Sequence, residues 1–417
     1  MSKKVNRKVP KLRFSEFEGD WKFGEVSDLI SSLDAGVSVN SEDRAANQVE
    51  KGILKTSCIS NGVFNPTENK VVADEHELSR LKEPVTKNTI LISRMNTPIL
   101  VGANSYIEKD YPNLFLPDRL WAAKIKKINF PKWVSYYFIR NKVRGLLSSR
   151  ATGTSNSMKN ITKNDVLTLP VYFPLIPEQE KIASFLGAVD TRLTQLRRKH
   201  ELLQTYKRGV MQKIFSQQIR FKGDDGKPFP DWETNRIDNF LVRYNNPVHV
   251  QLDAEYSQIG IRSHGKGIFH KEPVTGRDLG NKRVYWVHPR SFVINIVFAW
   301  EQAVALTSNE EDGFIASHRF LMFLPKNNKV NLQFVLLFFL GNRGKSLLEL
   351  ASPGGAGRNK TLGQQNFSEL QVTFPTLKEQ EKIADFLTAI DKKMEAVAKQ
   401  INLTEQFKKG LLQKMFV

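Results

Sequence analysis

The sequence predicts an α+β protein: two mixed α/β domains in pseudo-twofold tandem repeat, joined by two long helices that form an antiparallel coiled coil. Three observations carry the prediction. Residues 174–190, Pro-Leu-Ile-Pro-Glu-Gln-Glu-Lys-Ile-Ala-Ser-Phe-Leu-Gly-Ala-Val-Asp, return at 375–391 as Pro-Thr-Leu-Lys-Glu-Gln-Glu-Lys-Ile-Ala-Asp-Phe-Leu-Thr-Ala-Ile-Asp, a shift of 201 positions in a 417-residue chain. The same shift relates Tyr206-Lys-Arg-Gly-Val-Met-Gln-Lys-Ile-Phe215 to Phe407-Lys-Lys-Gly-Leu-Leu-Gln-Lys-Met-Phe416. Upstream of these tails the halves agree only in outline, with short apolar runs separated by turn clusters. A half-length repeat implies two equivalent domains and excludes a solenoid, whose period is roughly 20–50 residues.

The outline begins with Leu12-Arg-Phe14 before Trp21, answered by Ile219-Arg-Phe221 before Trp232. Thr89-Ile-Leu-Ile92 is answered by Ser291-Phe-Val-Ile294, and Phe130–Phe138 by Asn331–Phe339. These matches place the first domain at 1–175, a central helix at 176–218, the second domain at 219–375 and a last helix at 376–417.

In the central helix Ile182, Leu186, Val189, Leu193, Leu196, Leu203, Val210 and Ile214 fall on alternating steps of three and four, interrupted by His200 and Lys207. The last helix repeats the seam with Ile383, Leu387, Ile390, Met394, Val397, Ile401, Leu411 and Met415, interrupted by Thr404 and Lys408. Both starts are marked by proline (Pro174, Pro177, Pro375) and by acidic first turns (Glu178, Glu180, Glu379, Glu381) that complement the helix dipole. Some 38 residues at about 1.5 Å each give rods of roughly 55 Å. Two equivalent long helices in one chain pair most simply with each other, and Ile182, Leu186, Val189, Leu196, Leu203, Ile383, Leu387, Ile390, Val397 and Ile401 are the expected coiled-coil or subunit-interface residues. Gly209 and Gly410 sit at matched positions inside the pattern, where glycine costs about 1 kcal/mol relative to alanine. Close packing on a partner helix and a fraying end account for them equally.

Within the domains Trp133–Leu147 and Phe334–Leu348 read as closing helices, each leading into a polar, Gly-containing loop, 151–160 and 352–361. In both loops flexible backbone and hydroxyl or amide side chains precede Lys159 or Lys360, a composition suited to holding phosphate. Arg94 and Asn96 follow an apolar run, and Arg262, His264 and Lys266 lie in a Gly-rich turn. Arg, Lys and Asn are the side chains that read guanine and adenine edges. Arg119 and Arg319 match within one residue between the halves.

A net charge of +19 points to a polyanionic partner, with nucleic acid the leading class. The single cysteine, Cys58, excludes an internal disulfide and a multi-cysteine zinc site. The basic N-terminus lacks a following apolar core and no apolar run approaches the length of a membrane span, so the expectation is an unexported, cytoplasmic protein with no membrane partner. Asn65-Pro66-Thr67 and Asn246-Pro247-Val248 lack the second proline and aromatic of an adenine methyltransferase motif. Gly354–Thr361 lacks the glycine that a phosphate-binding loop carries directly before its lysine, here Lys360. Pro117-Asp118 and Pro230-Asp231 are not followed by the carboxylate and lysine of a metal-dependent nuclease. No catalytic residue, metal site or cofactor is expected.

The tandem layout of variable region, Pro-x-x-x-Glu-Gln-x-Lys-Ile-Ala helix, second variable region and second such helix resembles the specificity subunits of type I restriction-modification systems. The likeness spans essentially the whole chain. Its most specific motifs are Glu-Gln-Glu-Lys-Ile-Ala at 178–183 and 379–384, with the opening Leu12–Trp21 and its partial echo at Ile219–Trp232. The resemblance implies that each domain is a target-recognition domain reading one half of a split, asymmetric site in double-stranded DNA. It implies that the helices set the spacer and dock two methyltransferase subunits, through which restriction subunits attach. Two other classes compete: an architectural coiled-coil protein that binds DNA without sequence preference, and a divergent, self-sufficient DNA-modifying enzyme.

Overall fold

In each half one of the matched apolar runs, at 89–92 and 291–294, becomes an inner strand of a four-stranded sheet. The computed structural model describes residues 8–60, 62–155, 158–355 and 360–417. Contacts divide the chain into two units, Met1–Leu196 with Gln400–Val417, and Arg197–Lys399.

In the first unit Thr89–Ser93 is buried at all five residues, as expected of a strand covered on both faces. It lies between Leu120–Ile125 and Asn104–Tyr106, with Ile30–Ala35 on the far side of Leu120–Ile125. A second sheet runs Asn69–Val71, Gly52–Leu54, Tyr111–Phe115, Pro84–Val85, and its only parallel pairing joins Gly52–Leu54 to Tyr111–Phe115. The second unit repeats this plan with different residues. Phe292–Asn295 lies between Phe320–Pro325 and Val304–Leu306, with Leu241–Tyr244 outermost. Its second sheet again holds one parallel pairing, Glu255–Ile261 with Ile315–Ser317. One backbone topology thus carries two diverged sequences.

The closing helices differ from the sequence expectation, because each is two helices. Pro131–Phe138 is followed by Asn141–Arg150, and Leu332–Leu340 by Asn342–Leu350. The break falls at Arg140 and Gly341, both in extended conformation (ψ 137° and 166°). Beyond the turn Leu147 and Leu348 are completely buried. In the second unit the turn also brings Gly344 onto the first helix, where an added Cβ would lie 2.2 Å from the Phe338 carbonyl oxygen.

The central helix runs Ile176–Phe215 and the last Leu377–Lys414, so the former stops three residues before the 218 read from the pattern. Gln217, with φ +61°, turns the chain out of the helix. Neither expectation for the matched glycines holds: a Cβ at Gly209 or Gly410 would meet nothing within 4 Å, and both helices continue past them. The loop at 151–160 is an ordered hairpin where its residues are described, with Thr152–Ser155 paired to Met158–Asn160. Residues 156–157 and 356–359 of the two polar loops lie outside the described residues.

The repeated Glu-Gln pair explains why this motif returns unchanged. Glu178, 3% exposed, accepts from Arg13 Nε and Nη2 at 2.8 Å and from Trp21 Nε1 at 3.1 Å. In the second unit Glu379, 0% exposed, accepts from Arg220 and from Trp232 Nε1 at 3.3 Å. Each arginine is held above its ordinary pKa range chiefly by that carboxylate, against an opposing desolvation. Gln179 accepts from the Phe130 amide and donates to the Pro174 carbonyl. Gln380 does the same with Asn331 and Pro375. The motif therefore ties the entry strand, the closing helices and the long helix of each unit at one buried point. Behind it Ile182, Ala183 and Leu186, or Ile383, Ala384 and Leu387, enter the main core.

Candidate nucleic-acid interface

The residue after each central strand opens a loop, and in both units the sequence-predicted cations gather around it. In the first unit the loop runs from Arg94 to Gly102. The Arg94 amide donates to the Arg119 carbonyl at 3.0 Å, and the Arg94 carbonyl accepts from Ile161 at 2.9 Å. Met95–Asn96 then pairs with Met158–Asn160, the middle strand of a three-stranded sheet, which sets Lys159 opposite Asn96. Backbone pairing thus brings Arg94, Asn96, Arg119 and Lys159 together from three separated stretches of sequence.

Their side chains are not equivalent. The Asn96 amide is used locally, donating to Ser93 Oγ and accepting from the Thr97 amide. Lys159 Nζ donates to the Gly153 carbonyl at 3.0 Å, so the hairpin holds it across its own strands. Arg119 is exposed. The Arg94 guanidinium lies 5.8 Å above the Trp121 ring, with its Nε buried and unpaired.

In the second unit the corresponding loop is Ile296–Gln302. Ile296 donates to the Arg319 carbonyl and accepts from Leu362, which makes it the structural counterpart of Arg94, and Arg319 the counterpart of Arg119. The Ser263–Gly267 turn docks on the end of this loop, with His264 donating from its amide to the Glu301 carbonyl at 2.7 Å and Gly265 to that of Gln302 at 3.0 Å. Ser263 Oγ adds a bond to the Glu301 carboxylate. The turn's left-handed residues, His264 at φ +59° and Gly265 at +64°, make this approach possible. Arg262 stacks on Phe269 at 4.7 Å and donates to the Ile268 carbonyl. Lys266 is exposed, and Lys360 Nζ lies 5.6 Å from the Trp300 ring. His264, Arg319 and Lys360 therefore border one loop, with Arg262 and Lys266 on the turn that docks against its end.

The sequence reading missed the loop 296–302 itself, with exposed Phe298, and missed Trp121 as the support of Arg94. The available signal was positional: both loops follow the matched runs at 89–92 and 291–294.

Along the long helices Ile182, Leu186, Val189, Leu196, Ile383, Leu387, Ile390 and Val397 are buried, while Leu203 and Ile401 are half-buried. Leu202 and Tyr206 are exposed at 51% and 52%, and their repeat counterparts Leu403 and Phe407 at 54% and 55%. Among the described residues no group of three histidine, cysteine or acidic side chains is placed to hold a metal ion, and no helix is long and apolar enough to cross a membrane.

The family described as "Type I restriction modification DNA specificity domain" matches residues 18–204 and 293–406. The chain is 21% identical over 413 residues to a putative type I restriction enzyme MjaX specificity subunit of Methanocaldococcus jannaschii, covering 96% of this chain and 94% of that protein. It is likewise 21% identical to the MjaVIII specificity subunit of the same organism, with the same coverage. The crystal structure of a type I restriction-modification S subunit from M. genitalium superposes with a TM-score of 0.58 at 14% identity, over 98% of this chain and 99% of that one.

Proposed function

We propose a function that proceeds from one premise: this chain belongs to the type I restriction modification DNA specificity family. It is a type I specificity subunit, and its work is sequence-specific recognition of DNA. On our reading each unit is a target-recognition domain, bounded as 1–175 and 219–375, that reads one half of an asymmetric split site. The helices Ile176–Phe215 and Leu377–Lys414 set the spacing between the halves. The chain carries no catalysis of its own, and methyl transfer and cleavage belong to two methyltransferase subunits and the restriction subunits they recruit, in the cytoplasm.

One observation supports this above the others. Equal folds present a cation-bordered loop at an equivalent position, and the loops differ in sequence, as two readers of unlike half-sites must. Arg94, Asn96, Arg119 and Lys159 border the first; His264, Arg319 and Lys360 border the second, with Arg262 and Lys266 on the turn docked against it. A basic chain adds the sequence-independent attraction to phosphate. The repeated exposed pairs Leu202/Tyr206 and Leu403/Phe407 offer two copies of one apolar patch, the number needed for two identical partner subunits.

Mapping methylated adenines across the genome of cells expressing the partner methyltransferase, with and without this chain, tests the function. A split, asymmetric motif that appears only with the chain is expected. A continuous motif independent of the chain would remove the proposal.

A further inference from the structure

We infer that Arg94 is a guanine-reading residue that distinguishes the two half-sites, because the second unit has no hydrogen-bonding side chain at the same structural position. This rests on the reading of the units as DNA-recognition domains and adds which residue reads, and which base.

The position is fixed identically in both units. A bond from its amide to Arg119 or Arg319, and one to its carbonyl from Ile161 or Leu362, leave the side chain of residue 94 or 296 as the variable. In the second unit that residue is Ile296, and the strand partner that corresponds to Trp121 is Leu321: Trp121 pairs with Ile92 as Leu321 pairs with Ile294. The first unit therefore has both a guanidinium and an indole shelf beneath it, and the second has neither.

Among the described residues the Arg94 side chain has no carboxylate partner and donates no hydrogen bond, while its Nε is shut off from water against the protein. Buried donors without acceptors are uncommon and destabilising, and they concentrate where function requires them. The Trp121 ring, 5.8 Å from the guanidinium carbon, limits where the side chain can lie, and burial of Nε removes part of its hydration, so less ordering and desolvation remain when an acceptor arrives. The planar fork fits the O6 and N7 acceptors of guanine in the major groove. Arg119, exposed in the turn that leads into Leu120–Ile125, and Lys159, on the neighbouring hairpin, supply positive charge without using that fork.

The test uses the complete chain assembled with its methyltransferase, on duplexes carrying the split site that methylation mapping returns. Arg94→Ala should make one guanine in one half of the motif degenerate and weaken binding to the intact site roughly tenfold to a hundredfold. Replacing that guanine by 7-deazaguanine should weaken the wild type and leave Arg94→Ala unaffected. Arg94→Lys, which keeps the charge but loses the fork, should relax the same base, and Ile296→Ala should change neither half. An unchanged motif with a uniform loss of affinity and a salt slope smaller by about one would make Arg94 a phosphate contact and overturn the inference alone. Should Arg94→Ala fail to fold, the 7-deazaguanine series on the wild type decides, and indifference to every such substitution overturns the inference. Absence of any split motif in the wild type would overturn the parent reading as well.

Discussion

Lys207 donates to Asp391 at 2.6 Å, and Lys408, 201 positions after Lys207, pairs at 2.6 Å with Asp190, 201 positions before Asp391. The two lysines that interrupt the apolar seam are thus its reciprocal ion pairs. Each lies partly shielded, with lysine exposures of 18% and 22%. A charged pair at a seam position fixes register at some cost in stability.

Removing one partner, as in Lys207→Ala or Asp391→Ala, should destabilise the second unit by about 1 kcal/mol, limited by residual hydration. Lys207→Leu with Asp391→Leu should recover or exceed the wild-type stability. Chemical denaturation of the wild type, Lys207→Leu, Asp391→Leu and the double change to leucine gives the coupling, and strict additivity of the single changes would contradict a working pair.

Arg13→Ala leaves Glu178 buried without its cation and should cost about 3 kcal/mol, as should Arg220→Ala at Glu379. Glu178→Gln keeps an acceptor for Trp21 Nε1 and should cost less than Arg13→Ala. The order of thermal midpoints, wild type above Glu178→Gln above Arg13→Ala, is the readout.

A seven-residue insertion into both long helices should lengthen the nonspecific spacer of the methylated motif and leave the half-sites as they were. Each helix then keeps its seam, because seven residues are close to two turns. An unchanged spacer would refute the role assigned to the helices.

Burial pushes the Cys58 thiol up to about 12, with the Glu68 charge adding to the effect. The Tyr137 hydroxyl is likewise pushed up to about 12 by burial. The folded chain holds both protons more tightly than the unfolded chain, so their contribution to stability is complete below the unfolded thiol's value near 9 and is lost as pH rises towards 12. Unfolding midpoints should therefore fall between pH 9 and 12, and a thiol reagent at neutral pH should titrate Cys58 only after denaturant is added. Prompt labelling of the native protein would contradict this burial.

The long helices were legible because a 201-residue repeat and a heptad seam are local patterns. Sheet order was not, since Thr89–Ser93 finds its partners at 104–106 and 120–125, and no local signal selects them. Glu178 illustrates a partial reading: its place in the first helical turn suggested a dipole interaction, whereas its main partners, Arg13 and Trp21, lie more than 150 residues away. The cations around the two loops are legible from residue type and from their place after apolar runs, in turns and in polar loops. That Asn96 uses its side-chain amide locally while the Arg94 guanidinium donates to none of the described residues depends on the backbone course after Ser93, which local sequence does not encode.

Phe416 stacks on Trp133 at 5.3 Å and meets Trp21 edge-on, and the Arg140 guanidinium covers its ring at 5.0 Å. Leu411 and Met415 fill the same core. On the ribosome, where the N-terminal part of a chain ordinarily folds first, this unit is synthesised early and finished late. Its core stays open through the translation of about two hundred further residues, while the second unit, bounded by 197 and 399, has all its own parts sooner. Truncation before Leu411 would then damage the unit encoded first and spare the one encoded second.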